Sequence, residues 1–196
     1  MTDSASPPPQ TRADIAPAAP EPPDARLRGT DAAAMAAWRR FPLAATSMLG
    51  PTVAISLATP LPWMRIRGDL AAMFGGADDD LGTVKQSLYS GAVAFFWSPR
   101  SAPSLFVGPG VELGYFAVRG IPRSVATADG TASAALVALA AAIGGAHVPL
   151  SSRWAAHLEG EIGVALRGVS VFADAREIAG ARGWFGSARA GLLLQL

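Results

Sequence analysis

The chain has 196 residues, a formal net charge of +1, and 51% hydrophobic against 16% charged residues. A chain so nearly neutral, with no long basic run, offers no electrostatic basis for binding nucleic acid. The absence of cysteine excludes disulfides, thiolate nucleophiles and Cys-based metal sites. Mean hydropathy is +0.30, high for a soluble domain, although 21 glycines and 16 prolines interrupt the apolar content.

Residues 1–30 are Pro, Ala and charge without periodicity and are expected to be a disordered linker. They contain no apolar h-region, so no secretory signal can be read, which argues against export of the chain as it stands. Residues 32–47 read two ways: the alanine run favours a helix locally, while Pro42 argues against carrying it far.

Period-two alternation begins at Met48, and successive strand side chains point to opposite faces. Leu49, Pro51, Val53, Ile55 and Leu57 share one face, against Gly50, Thr52, Ala54 and Ser56. After a short turn at Thr59–Pro62, the strand Trp63–Phe74 sets Met64, Ile66, Leu70, Ala72 and Phe74 opposite Arg65, Arg67 and Asp69. A long polar loop is expected over Gly75–Thr83. In the strand Val84–Trp97, Tyr89, Val93, Phe95 and Trp97 oppose Gln86, Ser90 and Ala92.

A short turn, Ser98–Ser104, leads to Leu105–Arg119, the clearest strand. One of its faces is an apolar row; the other carries Gly108, Gly110, Gly114 and one carboxylate, Glu112. A long loop follows over Gly120–Thr131. Ala132–Val148 fits helical spacing through Leu136, Leu139, Ala140 and Ile143, and strand spacing through Val137, Leu139, Ala141 and Ile143; the neighbouring strands favour strand. After the turn Pro149–Arg153, the strand Trp154–Arg167 sets His157, Glu159, Glu161 and Arg167 opposite Trp154, Ala156, Leu158, Ile162, Val164 and Leu166. A long charged loop, Gly168–Gly183, precedes the last strand, Trp184–Leu196, with Arg189 and Gln195 on its polar face.

Seven strands joined by alternately short and long connections suit a transmembrane barrel with short periplasmic turns and long outer loops. Closure needs an even number, and Ala33–Ser47 is the candidate for the eighth. Aromatics at strand ends (Trp97 and Trp154, Phe74 and Trp184) are placed like interfacial girdles.

In these features residues 33–196 resemble the small eight-stranded bacterial outer-membrane β-barrel proteins, although the last residue is Leu196 where that family usually ends in an aromatic. The fold expected is all-β, an antiparallel up-and-down β-barrel, with a linker over 1–30 and the barrel domain over 31–196. The resemblance implies a transmembrane protein of the outer membrane, in contact with membrane lipid, monomeric and binding no nucleic acid. Its role would be structural or in surface interaction, with no enzymatic activity and no cofactor.

The polar faces collect Arg65, Arg67, Asp69, Glu112, Glu159, Glu161, Arg167 and Arg189. Turned inward in a narrow barrel, they are expected to form an ion-pair network that fills the lumen. Other chemistry is weaker. His157, Glu159 and Glu161 share a face and offer a metal one nitrogen and two carboxylates, but neutralising the arginines accounts for them. Ser151 and Ser152 with His147 or His157 lack any nucleophile-elbow context. Gly108-Pro109-Gly110 lies inside a strand, so it is no phosphate loop; its glycines suit close packing.

Two alternatives compete. A soluble lipocalin-like barrel binding a small apolar ligand would turn the apolar face inward and the charged face to water. A helical membrane protein would span at Phe41–Met64, which lacks charge but holds four prolines.

Overall fold

The computed structural model describes residues 29–61, 63–79, 82–98, 104–122, 132–173 and 176–196. The linker expected over 1–30 therefore falls outside the described residues, apart from Gly29 and Thr30. The strands are β1 (Asp31–Phe41), β2 (Thr46–Ala58), β3 (Met64–Asp79), β4 (Gly82–Trp97), β5 (Ser104–Pro122), β6 (Ala132–Pro149), β7 (Trp154–Arg167), β8 (Val169–Ala173), β9 (Arg176–Ala181) and β10 (Trp184–Gln195). Eight of them close into a barrel in the order β1-β10-β7-β6-β5-β4-β3-β2, and every neighbouring pair is antiparallel.

The eighth strand is β1, built from the alanine-rich stretch. Alanine's helix propensity is a weak preference. As a strand, the segment satisfies the backbone groups of β2 on one side and β10 on the other, which a helix would leave as two open edges. A single 3₁₀ turn at Pro42–Ala44 then links β1 directly to β2, with Ala45 in the left-handed region at φ 50°. The spanning helix considered for Phe41–Met64 is thereby excluded: the segment is a turn, a strand and a second turn. Among the described residues no helix is long and apolar enough to cross a membrane.

Two expected loops also prove to be strand. The β3–β4 ladder continues to Asp79 opposite Gly82, so most of Gly75–Thr83 is a hairpin extension. Its Gly-Gly-Ala sequence breaks the apolar alternation without breaking the backbone ladder. Gly168–Gly183 contains the antiparallel pair β8–β9. The regular alternation of short and long connections therefore does not hold, since the tight turn Pro42–Ala44 lies at the end expected to carry long loops. Of Gly120–Thr131, residues 120–122 belong to β5, and the rest lies outside the described residues.

One end of the barrel carries these connections and is termed the loop end; Gly29 and Leu196 lie at the other, the terminal end. There the Leu196 N–H donates to the Thr30 carbonyl at 2.9 Å.

The interior is filled by side chains. Toward the loop end Phe41, Met48, Met73, Leu88, Phe116, Val137, Leu139 and Phe185 form one buried cluster; Ala94, Phe96, Phe106 and Ile143 form a smaller one. Strand β6 inverts the pattern of its neighbours, because its apolar row Val137, Leu139, Ile143 points inward. Its outer face is mostly alanine. The β8–β9 hairpin closes the loop end. Ala179 and Ala181 are fully buried in the larger cluster, and the Gly180 N–H donates to Thr46 Oγ1 at 3.1 Å.

Inward glycines make room for these rings. A Cβ on Gly163 would lie 2.7 Å from the Phe185 ring and 2.3 Å from the Ala140 carbonyl oxygen. Gly163→Val is expected to destabilise the barrel by about 1–3 kcal/mol through overpacking, measured by urea unfolding in detergent. Unchanged stability would show that Phe185 is not seated there.

Candidate functional site

The middle of the lumen is a layer of buried charge contributed by β1, β3, β5, β7 and β10. Arg39 on β1 donates through Nη1 and Nη2 to the two oxygens of Glu112 at 2.6 and 2.7 Å, and through Nη2 to Glu161 at 3.2 Å. Arg67 donates to Asp69 at 3.0 Å and makes a two-armed contact with Glu159, one arm being 3.0 Å. Arg189 reaches Glu161 at 3.1 Å and lies 3.4 Å from Glu159 and 3.6 Å from Asp69. Ser187 donates to Glu161 at 2.8 Å.

The charged layer is joined to its apolar neighbours by cation–π contacts. The Arg39 guanidinium lies 4.9 Å from the Phe185 ring centroid, and that of Arg67 lies 4.5 Å from Phe96. Fork-shaped arginine donors matched to carboxylates are the geometry in which buried charges are best compensated.

Of the residues expected in this network, Arg67, Asp69, Glu112, Glu159, Glu161 and Arg189 come together in the layer. Arg65 lies nearer the terminal end, 2.6 Å from Asp31. Arg167 stands apart, exposed at the loop end of β7. Sequence reasoning missed Arg39, which lies in the segment that reads as helix or strand, and Asp31, which stands just before that segment and begins β1. Once β1 is a strand, parity puts Asp31, Met35, Ala37, Arg39 and Phe41 on one inward row.

The other candidate chemistry separates in space. Glu159 and Glu161 are engaged by arginines, so they do not form a metal site with His157. Ser151 lies in the exposed β6–β7 turn, where its hydroxyl accepts from the backbone N–H of Trp154 at 3.1 Å; His157 is buried in the lumen. At Gly108 a Cβ would meet the Phe95 carbonyl oxygen at 1.7 Å, so the glycine permits close approach of β4 and β5. Among the described residues no group of three His, Cys, Asp or Glu side chains is arranged to hold a metal.

The hairpin at the loop end carries its own ion pair. Arg182 Nε donates to both oxygens of Glu177 at 2.8 and 3.0 Å, and this hydrogen bonding holds the Glu177 carboxyl below its usual range.

The outer face is the reverse of the lumen. Leu113 is 71% exposed, while the adjacent Glu112 is 5% exposed. All five tryptophans lie outside: Trp63, Trp97 and Trp154 toward the terminal end, Trp38 and Trp184 toward the loop end. The soluble lipocalin-like alternative required the opposite orientation, apolar inside and charged outside, and is not favoured.

No protein-family model matches the sequence, and no curated protein matches it. Solved structures do. A major outer membrane protein of Thermus thermophilus superposes with a TM-score of 0.58 at 12% identity, over 86% of this chain and 98% of that one. The fold is that of the small outer-membrane β-barrels. Neisserial surface protein A gives 0.54 at 10% identity, over 85% of this chain and 96% of the other. The attachment invasion locus protein of Yersinia pestis gives 0.52 at 8%, over 86% and 97%. At such identities the likeness is one of fold. The outer-membrane-type barrel thus arises here from a sequence only 8–12% identical to these neighbours.

Proposed function

We propose that the chain is an integral protein of the bacterial outer membrane, its barrel held in lipid and its lumen closed. Its role is structural or in interaction at the cell surface, as a monomer, rather than conduction or catalysis. The observation that carries this is the inversion of the barrel: a belt of Leu, Ile, Val and aromatic side chains faces outward, and buried ion pairs fill the interior. Burying arginines and carboxylates while exposing leucines is costly in water and favourable in a bilayer. Tryptophans toward both ends match the two membrane–water interfaces. In an eight-stranded barrel the interior is only wide enough for side chains, and here the β8–β9 hairpin also covers one mouth.

The test is reconstitution. The protein folded in detergent should give a β-type far-UV spectrum and an unboiled gel mobility different from the boiled one. Inserted into a planar lipid bilayer, it should give no stepwise conductance. Steady open-channel currents would overturn the closed-lumen reading, and folding in water without detergent would overturn the membrane reading.

A further inference from the structure

The chain contains only two histidines and no cysteine, and the fold places both imidazoles side by side. His147 on β6 and His157 on β7 are direct cross-strand partners, with ring centroids 4.9 Å apart and Phe106 packed against each. Both line a vestibule at the terminal end of the lumen, together with Asp31, Arg65 and Gln195.

We propose that His147 and His157 form a two-histidine site for a borderline-soft divalent ion such as Cu²⁺ or Zn²⁺. His157 Nε2 lies 3.3 Å from a Glu159 oxygen. Glu159 accepts from Arg67, so its carboxylate is an acceptor, and the imidazole proton belongs on Nε2. The lone pair of the neutral ring is then on Nδ1. That atom is buried and has no hydrogen-bond partner.

A buried acceptor without a partner carries a desolvation cost, and a bound metal ion would relieve it. A carboxylate on the far nitrogen is also the usual support of a metal-bound histidine: it fixes the tautomer and raises ligand basicity. The two arginines nearest the imidazoles are compensated, Arg65 by Asp31 and Arg67 by Glu159, so among the described residues no unpaired positive charge stands beside the site. Two imidazoles suit late first-row ions, and water would complete the coordination from the vestibule.

The experiment uses the full chain without a polyhistidine tag, folded in detergent and titrated with CuCl₂. Calorimetry should give one Cu²⁺ per chain, and electron paramagnetic resonance should show two imidazole nitrogens on the copper. His147→Ala should weaken binding by more than the roughly 10–100-fold that loss of a supporting group costs. His147→Gln serves the same purpose if the alanine variant does not fold. Fewer than two imidazole nitrogens in the parent spectrum, or an affinity unchanged in a folded His147 variant, would overturn the site.

Discussion

Glu112→Ala is expected to lower the unfolding free energy by roughly 3–5 kcal/mol, the cost of removing one partner from a buried ion pair. Arg39 is 1% exposed, and Glu112 accepts from both of its terminal nitrogens. Without Glu112, Nη1 has lost its carboxylate, and the one carboxylate contact left to Arg39 is that to Glu161 at 3.2 Å. The penalty arises mainly from the stranded guanidinium. The double variant Arg39→Met, Glu112→Leu should therefore be less destabilised than Glu112→Ala alone, since Glu161 retains Arg189 and Ser187. Urea unfolding in detergent or in vesicles measures both. A cost below about 1 kcal/mol for the single variant would indicate a solvated, surface-like pair and a lumen open to water.

Val111→Arg tests the opposite face one residue away. Val111 lies midway along β5 between Val107, which pairs with Trp97 at the terminal-end girdle, and Tyr115, which pairs with Tyr89 toward the loop end. That position corresponds to the bilayer midplane, where an arginine on the lipid face costs roughly 2–4 kcal/mol. The same substitution at Val107, nearer the interface, should cost roughly 0–1 kcal/mol. Equal costs at the two positions would be incompatible with a bilayer around this strand.

Much of this architecture can be read from alternation, for a simple reason. Where one face meets lipid and the other a packed interior, a one-residue slip would expose every charge, so the pattern in β2, β3, β5 and β7 is strict. It weakens where that contrast weakens. In β1 the outward residues are mostly alanine, which satisfies helix and strand alike, so Arg39 went unplaced. In β6 the apolar row faces inward and alanines face out, which makes the segment look helical. The β8–β9 hairpin spans no lipid; Val169, Val171, Ile178, Ala179 and Ala181 pack on the interior cluster at the mouth of the barrel, while Phe172 is exposed.

The charged site was legible in composition but not in depth. Parity assigns a face, and register assigns a height along the barrel. Arg65 and Arg167 have inward parity, yet they stand near opposite ends of their strands. Sequence also could not show that His147 and His157 would meet, because that depends on the β6–β7 register rather than on either strand alone.

In a barrel held by a bilayer the apolar face looks into lipid. Since the chain has no cysteine, Leu113→Cys provides a single labelling site at the most exposed large hydrophobic side chain of β5. With an environment-sensitive fluorophore attached and the barrel in vesicles, bromine-labelled lipid should quench the emission strongly, and aqueous iodide should leave it unchanged. Quenching by iodide without any effect of the brominated lipid, or quenching by neither, would exclude lipid at this face.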